Sequence, residues 1–270
     1  MMTNKTNKTA TRIYFKADKE QVLEKEISFP FYSGFAPIQK RKNRDCMHES
    51  ILKQEPKAKI LEVSTKSNDK FGVNLSAFNL ELDSRPFECT FQEAKRFEIS
   101  DSIKTKIEID SKGKGKFIVD ISDKLINDGE SYYLAPISDN PRELKSTIKA
   151  FCKANKSAKL SHFNFRGEIF ELNAGVANSA SFFYDFLYFR ALRENFSQSE
   201  IAQILDYDIF TDIEFNHKVS INCQARSCAL YRYALLNKKV DFYTQSKENF
   251  KSIYANLTSA KDKQAQCGLF

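Results

Sequence analysis

The 270-residue chain has no tryptophan, only 8 glycines and only 3 histidines, His48, His162 and His217. None of the histidines is spaced from a cysteine or a carboxylate as in a zinc motif, so no metal site is expected. The six cysteines, at positions 46, 89, 152, 223, 228 and 267, include no Cys-x-x-Cys pair and are read as reduced thiols. No apolar run approaches the eighteen or so residues of a membrane helix, and Met1–Lys8 lacks the apolar stretch of a signal peptide. A cytoplasmic location away from membranes is the expectation. Chemistry must then run mainly on carboxylates, amines and amides, without a cofactor.

Abundant Lys, Asn, Ile and Phe beside scarce Gly point to an AT-rich coding sequence. The net charge of +7 is therefore weak evidence for a polyanionic partner, and on charge alone a solvated lysine-rich surface is the preferred reading.

Apolar residues make up 41% of the chain, 24 of them Phe, enough for a sizeable core. Residues 1–11 are polar and repetitive and read as a disordered tail. Ile13 and Phe15, then Val22 to Phe29, form two extended runs around Lys16–Gln21, a hairpin. A helix over 39–55 stops at Pro56. Ile60–Val63 is a strand, Val73–Leu75 and Phe78–Leu82 are extended, and a helix follows over Pro86–Phe97. Ser111–Lys116 is a turn before the strand Phe117–Val119, and Glu143–Ala154 is an amphipathic helix. Leu160–Leu172 pairs about Gly167. Phe182, Phe183, Phe186, Leu187 and Leu192 recur at helical spacing as core, with more helix over 199–205. An extended run, Asp208–Phe215, precedes helices over 222–236 and 245–257. The fold class is α+β: a mostly helical single domain over 12–257 with a small β-sheet. Residues 12–58 are its N-terminal extension, 99–155 a candidate insertion and 258–270 a C-terminal tail.

On a helix over 86–97, Glu88, Gln92 and Lys95 fall at i, i+4 and i+7, placing a carboxylate, an amide and an amine on one face. Phe87, Phe91 and Ala94 form the neighbouring apolar stripe. By pattern alone this is the ordinary solvated face of a surface helix. Asp212 and Glu214 alternate along an extended run and point to one face, functional or simply exposed. Lys40, Arg41, Lys42 and Lys66 are candidate phosphate contacts or ordinary surface charges.

Gly72-Val73-Asn74-Leu75-Ser76-Ala77-Phe78-Asn79-Leu80, followed by Phe87-Glu88-Cys89-Thr90-Phe91-Gln92-Glu93-Ala94-Lys95-Arg96-Phe97, resembles the NADAR family in order, spacing and chemistry. That family has a Leu-Ser-Asn-Phe-Tyr run and then a Glu-His-x-Phe-Gln-Ala-x-Lys-Phe helix. Phe210–Phe215 and Asn222-Cys223-Gln224-Ala225 sit where the family has an acidic strand and a helix start. Gln39–Lys42, Leu61–Ser67 and Thr211–Asn216 look like the branch encoded beside DarT-type DNA ADP-ribosyltransferase toxins. Ala77, Asn79 and Cys89 depart from the pattern, standing where the family has Asn, Tyr and His.

The resemblance implies an ADP-ribosyl glycohydrolase that removes ADP-ribose from guanine in DNA, releasing ADP-ribose as antitoxin to a DarT-type toxin. It implies Glu88 as general acid/base, and Lys95 either as a Schiff-base nucleophile at C1″ or as a holding charge. Asp212 would activate water or bind ribose. Ser76, Phe78, Asn79, Gln92, Glu214, Asn222, Gln224 and Lys66 would line the substrate, and Lys40, Arg41 and Lys42 would meet DNA phosphates. Two alternatives are an N-glycosidase of a small molecule, as in riboflavin-pathway relatives, and a non-catalytic protein that binds ADP-ribose or the toxin.

Overall fold

The computed structural model describes residues 8–34, 36–111, 115–172, 179–218 and 220–258. The chain is mixed α+β and forms two compact units, one of residues up to 80 with those from 188 onward, the other of 81–187.

The first unit is built on the expected hairpin. Lys8–Ala17 and Val22–Phe31 pair antiparallel along their full length, from Lys8 opposite Phe31 to Ala17 opposite Val22. Asp18 closes the turn, its carboxylate accepting from the backbone N–H of Glu20 and Gln21. Residues 8–11, expected in the disordered tail, are therefore strand, because the partner strand satisfies their backbone groups despite their polarity. The rest of that tail and most of the C-terminal one lie outside the described residues. Leu257–Thr258 adds in parallel to Val22–Leu23. On the other side Ile209–Thr211 pairs with Tyr14–Lys16, and Ile60–Glu62 adds in parallel to it.

Helix Pro37–Gln54 starts with proline in its first turn and stops before Pro56. Its Met47 and Ile51 join Tyr14, Ile27, Phe29, Ile209 and Ile213 in a buried cluster. Helix Gln224–Leu236 is buried from Gln224 to Ala234.

Further expectations fail in this unit. Val73–Leu75 is not extended: Lys70–Asn74 is a short helix capped by Asp69, whose side chain accepts from Phe71 N. Gly72 lies so close to the Ile60–Glu62 strand that a Cβ there would come 2.2 Å from the Glu62 carbonyl oxygen. The strand after Asp208 ends at Thr211, because Asp212 turns the chain by accepting from Glu214 N through Oδ1 at 3.0 Å. The last helix comes close to the expected 245–257: extended Ser246 caps Lys247–Lys251 through Asn249 N, and a 3-10 helix continues over Ser252–Asn256, while the helix Val240–Gln245 before it was not expected.

The second unit has a sheet in the order Glu168–Glu171, Lys159–Phe165, Lys95–Glu98, Tyr132–Leu134, Leu125–Asn127. The pairing about Gly167 is a hairpin with Arg166 and Gly167 at positive φ, 55° and 82°. Residues 99–155 supply the hairpin Lys106–Ser111 with Gly115–Asp120, whose tip at 112–114 lies outside the described residues. They also supply two of the five sheet strands and helix Pro141–Ala154. Ile107, Ile109, Leu134, Leu144, Ile148 and Phe151 from this segment pack with Cys89 and Phe97 of the motif region.

The motif helix is shorter than expected. It spans Phe87–Glu93, and Lys95–Glu98 is a strand. Arg96 and Phe97 are buried there, and pairing to Lys159–Phe165 captures their backbone groups at the cost of a further helical turn. Phe91, Phe163, Phe170 and Phe183 form an aromatic cluster, with Phe163 and Phe183 stacked at 4.4 Å between centroids. Each buried ring contributes roughly 1.5–3 kcal/mol by leaving water. Helix Ser179–Asn195 carries the expected core residues Phe182, Phe183, Phe186, Leu187 and Leu192. Among the described residues no helix is long and apolar enough to cross a membrane.

Candidate active site

In the second unit the motif helix and the strand after it bring Glu88, Gln92 and Lys95 together, although Lys95 is not on the helix. Gln92 is the bridge. Its Oε1 accepts from Lys95 Nζ at 2.7 Å, and its side chain also hydrogen-bonds the Glu88 carboxylate. Tyr184 Oη donates to Glu88 Oε1 at 3.4 Å. The Tyr184 ring is held edge-on by Phe87 at 5.1 Å and by Phe91 at 5.2 Å. The apolar stripe of the motif helix thus fixes the phenol that contacts its polar stripe.

Burial pushes the Glu88 carboxyl above its ordinary range, opposed by Lys145, Lys95 and the bonds from Tyr184 and Gln92. Burial also lowers Lys95, to about 8, with the Cys152 thiol and Glu88 opposing and Lys145 assisting. Lys95 Nζ lies 5.3 Å from the Phe91 ring centroid, an apolar neighbour that disfavours bulk hydration. The result is an acid that keeps its proton to higher pH and an amine that loses its proton at lower pH.

Cys89, in the place of the family's histidine, is buried and its Sγ–H donates to the Ser138 carbonyl at 3.6 Å. Burial and the nearby Glu93 hold it up to about 11, so it is a neutral thiol at pH 7. Lys145 and Cys152 were not read as site residues. They sit seven residues apart on helix Pro141–Ala154, the spacing that puts two side chains on one face. That spacing is the one signal the sequence held for them.

A second polar group belongs to the first unit. Asp212 is 7% exposed, and its Oδ2 accepts from Gln224 Nε2 at 3.0 Å. Gln224 Oε1 in turn accepts from Ala77 N at 2.8 Å and Ser76 Oγ at 3.4 Å. Ser76, Gln224 and Asp212 are therefore brought together. Glu214 is not with them: the turn at Asp212 sends it outward, exposed and 3.7 Å from Lys40 Nζ, so the two carboxylates do not share a strand face. Asn222 precedes helix Gln224–Leu236, and its Oδ1 is buried without a hydrogen-bond partner. Phe78 is 51% exposed, and exposed Asn79 is turned back to the Val73 carbonyl at 2.8 Å.

Glu62, absent from the candidate residues, lies at the centre of this group. It is 2% exposed and accepts from Ser64 Oγ at 2.5 Å, Thr211 Oγ1 at 2.7 Å and Ile213 N at 2.9 Å. His48 Nε2 meets Thr211 Oγ1 at 2.8 Å. Burial and the charge of Glu62 push Asp212 up to about 8. Burial lowers His48 to about 4, leaving a neutral imidazole at pH 7.

The basic candidates divide. Arg41 is exposed, Lys40 pairs with Glu214, and Lys42 Nζ lies over the Tyr32 ring at 3.8 Å. Lys66 Nζ donates to Oγ1 of the preceding residue, Thr65, at 2.7 Å. Arg44, in the same basic run, is 2% exposed, paired with Asp45 at 2.6 Å and bonded to the Lys66 carbonyl, so it is a buried structural cation.

No curated protein matches the chain. The family described as the DarT1-associated NADAR antitoxin matches residues 10–114 and 122–264, which covers the motif helix, Lys95, Glu62 and Asp212. The chain belongs to the DarT1-associated NADAR antitoxin family.

Proposed function

We propose that the protein is an ADP-ribosyl glycohydrolase that removes ADP-ribose from guanine bases of DNA, reversing the action of a DarT-type toxin. The observation that carries this reading is the Glu88–Gln92–Lys95 group, an acid and an amine shifted toward each other by burial and linked through one amide. N-glycoside cleavage needs both: a proton for the departing base and a nucleophile for C1″.

In this mechanism neutral Lys95 Nζ attacks C1″ as the C1″–N bond to the base breaks, and the bonding pair leaves with the base, which takes the Glu88 proton. The Glu88 carboxylate takes the ammonium proton of the new glycosylamine and passes it to the ring oxygen as the C1″–O4″ bond breaks, which opens the sugar and leaves a protonated Schiff base. Glu88, now a carboxylate, activates the water that hydrolyses the Schiff base, returning the amine and free ADP-ribose. Tyr184 orients Glu88 and Gln92 orients Lys95.

The test is incubation of the full chain with guanine-ADP-ribosylated single-stranded DNA and, separately, with ADP-ribosylated guanosine. Release of ADP-ribose with restoration of unmodified DNA is expected. Retention of the modification by a folded protein that still binds modified DNA would overturn the reading.

A further inference from the structure

We infer that Glu62 and Asp212 form a buried carboxyl pair that holds one proton at neutral pH, on Asp212, so that Asp212 is a hydrogen-bond donor there. Glu62 is the positioning residue that keeps the proton in place. This inference does not rest on the proposed glycohydrolase activity.

The hydrogen-bond shells decide which partner is charged. Glu62 stands opposite Thr211 in the parallel pairing of Ile60–Glu62 with Ile209–Thr211. Its carboxylate accepts from Thr211 Oγ1 and Ile213 N, the residues on either side of Asp212, and from Ser64 Oγ. Because the Thr211 hydroxyl donates to Glu62, it accepts from His48 Nε2–H, and the polarity of that chain also runs toward Glu62. Three direct donors favour an ionised group. Asp212 has two donors, Glu214 N and Gln224 Nε2, and no hydroxyl. Burial raises both carboxyls, and two adjacent buried carboxyls do not both ionise readily, so Glu62, with the larger shell of donors, takes the charge.

The surrounding charges fit this division. Helix Pro37–Gln54 presents Arg44 toward Glu62, and its His48 is neutral at pH 7. Arg12 on the hairpin faces Asp212 but is itself partly desolvated. Glu214 in the turn opposes ionisation of Asp212, and Cys223 ahead of helix Gln224–Leu236 stays a thiol through burial. Asp212 thus presents an O–H at pH 7, which matches an acceptor such as a hydroxyl, carbonyl or ring nitrogen and makes it a poor base.

The Glu214 amide, which donates to Asp212 Oδ1, is a built-in reporter of this titration. In wild-type protein its ¹H–¹⁵N shift should have an inflection near pH 8, absent in Asp212→Asn. Glu62→Gln removes the neighbouring charge and should lower that inflection by about one pH unit or more. Should that variant not fold, Ser64→Ala serves, since it takes one donor from Glu62. It leaves the inflection in place when the proton sits on Asp212, and raises it when the proton sits on Glu62. A wild-type inflection in the ordinary carboxylate range, an unmoved inflection in Glu62→Gln, or a raised one in Ser64→Ala would each overturn the inference.

Discussion

Glu88 and Lys95 differ in what a conservative substitution removes. Glu88→Gln keeps the size and the bond from Tyr184 but ends proton transfer, so a loss of about 10²–10⁴-fold in kcat with unchanged folding is expected from single-turnover assays. The wild-type pH–rate profile should be a bell. Its acid flank lies above the ordinary carboxylate range, from Glu88, and its alkaline flank near 8, from Lys95. A bell of this kind is the same whether the active form is acid with amine or carboxylate with ammonium. Glu88→Gln breaks the ambiguity by leaving Lys95 as the one titrating partner. Residual rate that rises with pH marks a neutral amine nucleophile, and one that falls marks a holding charge. The nucleophile also predicts that borohydride added during turnover traps an enzyme–ADP-ribose adduct, seen by mass spectrometry and lost in Lys95→Arg, because guanidinium does not attack at neutral pH.

At the scale of elements, helix Pro37–Gln54 presents a basic edge, half-buried Lys40 with exposed Arg41 and Lys42, and a buried basic residue, Arg44. Neutralising Lys40, Arg41 and Lys42 together should weaken binding of modified DNA and flatten its salt dependence while sparing ADP-ribosylated guanosine, measured by fluorescence anisotropy across a salt series. Equal losses on both substrates would count against a polynucleotide role. Adding Arg44→Gln should instead lower the melting temperature, since it strips a donor from the Lys66 carbonyl in the interior. Elements were legible where local signals sufficed. The hairpin, the helix stopped by Pro56, the strand at Ile60 and the Phe-rich helix at 179–195 all carry their own periodicity or punctuation. The motif helix was read one turn too long, because Lys95–Glu98 is recruited by Lys159–Phe165, more than sixty positions along, and no local pattern reports such a partner. The Glu88–Gln92–Lys95 group was legible even so, since the bridging amide tolerates the change from helix to strand. Glu62 was not, because its role comes from pairing with Thr211, 149 residues away in sequence.

Across the whole molecule, stability as a function of pH records which buried groups hold protons differently in the folded and unfolded chains. His48, lowered from 6.5 to about 4, binds its proton in the unfolded chain first, so it makes stability rise with pH between about 4 and 6.5. Asp212, raised from 3.8 to about 8, keeps its proton in the folded chain after the unfolded chain has lost it, so it makes stability fall with pH between about 4 and 8. Glu88, also raised by burial, acts in the same sense as Asp212. Lys95, lowered from 10.5 to about 8, turns the sign again above pH 8, where the unfolded chain still binds a proton that the folded chain has released. His48 and Lys95 therefore bracket a window from about 6.5 to 8 in which the carboxyls raised by burial, Asp212 with Glu62 and Glu88, set the slope. Thermal denaturation across that window should show the melting temperature falling as pH rises in wild-type protein, and a flatter profile in Asp212→Asn. His48→Gln, whose amide can still donate to Thr211, should remove the rise below 6.5 and leave the fall above it. A wild-type melting temperature that climbs from 6.5 to 8 would mean that Asp212 is ionised in the folded protein, and a wild-type slope retained in Asp212→Asn would place the proton on another group.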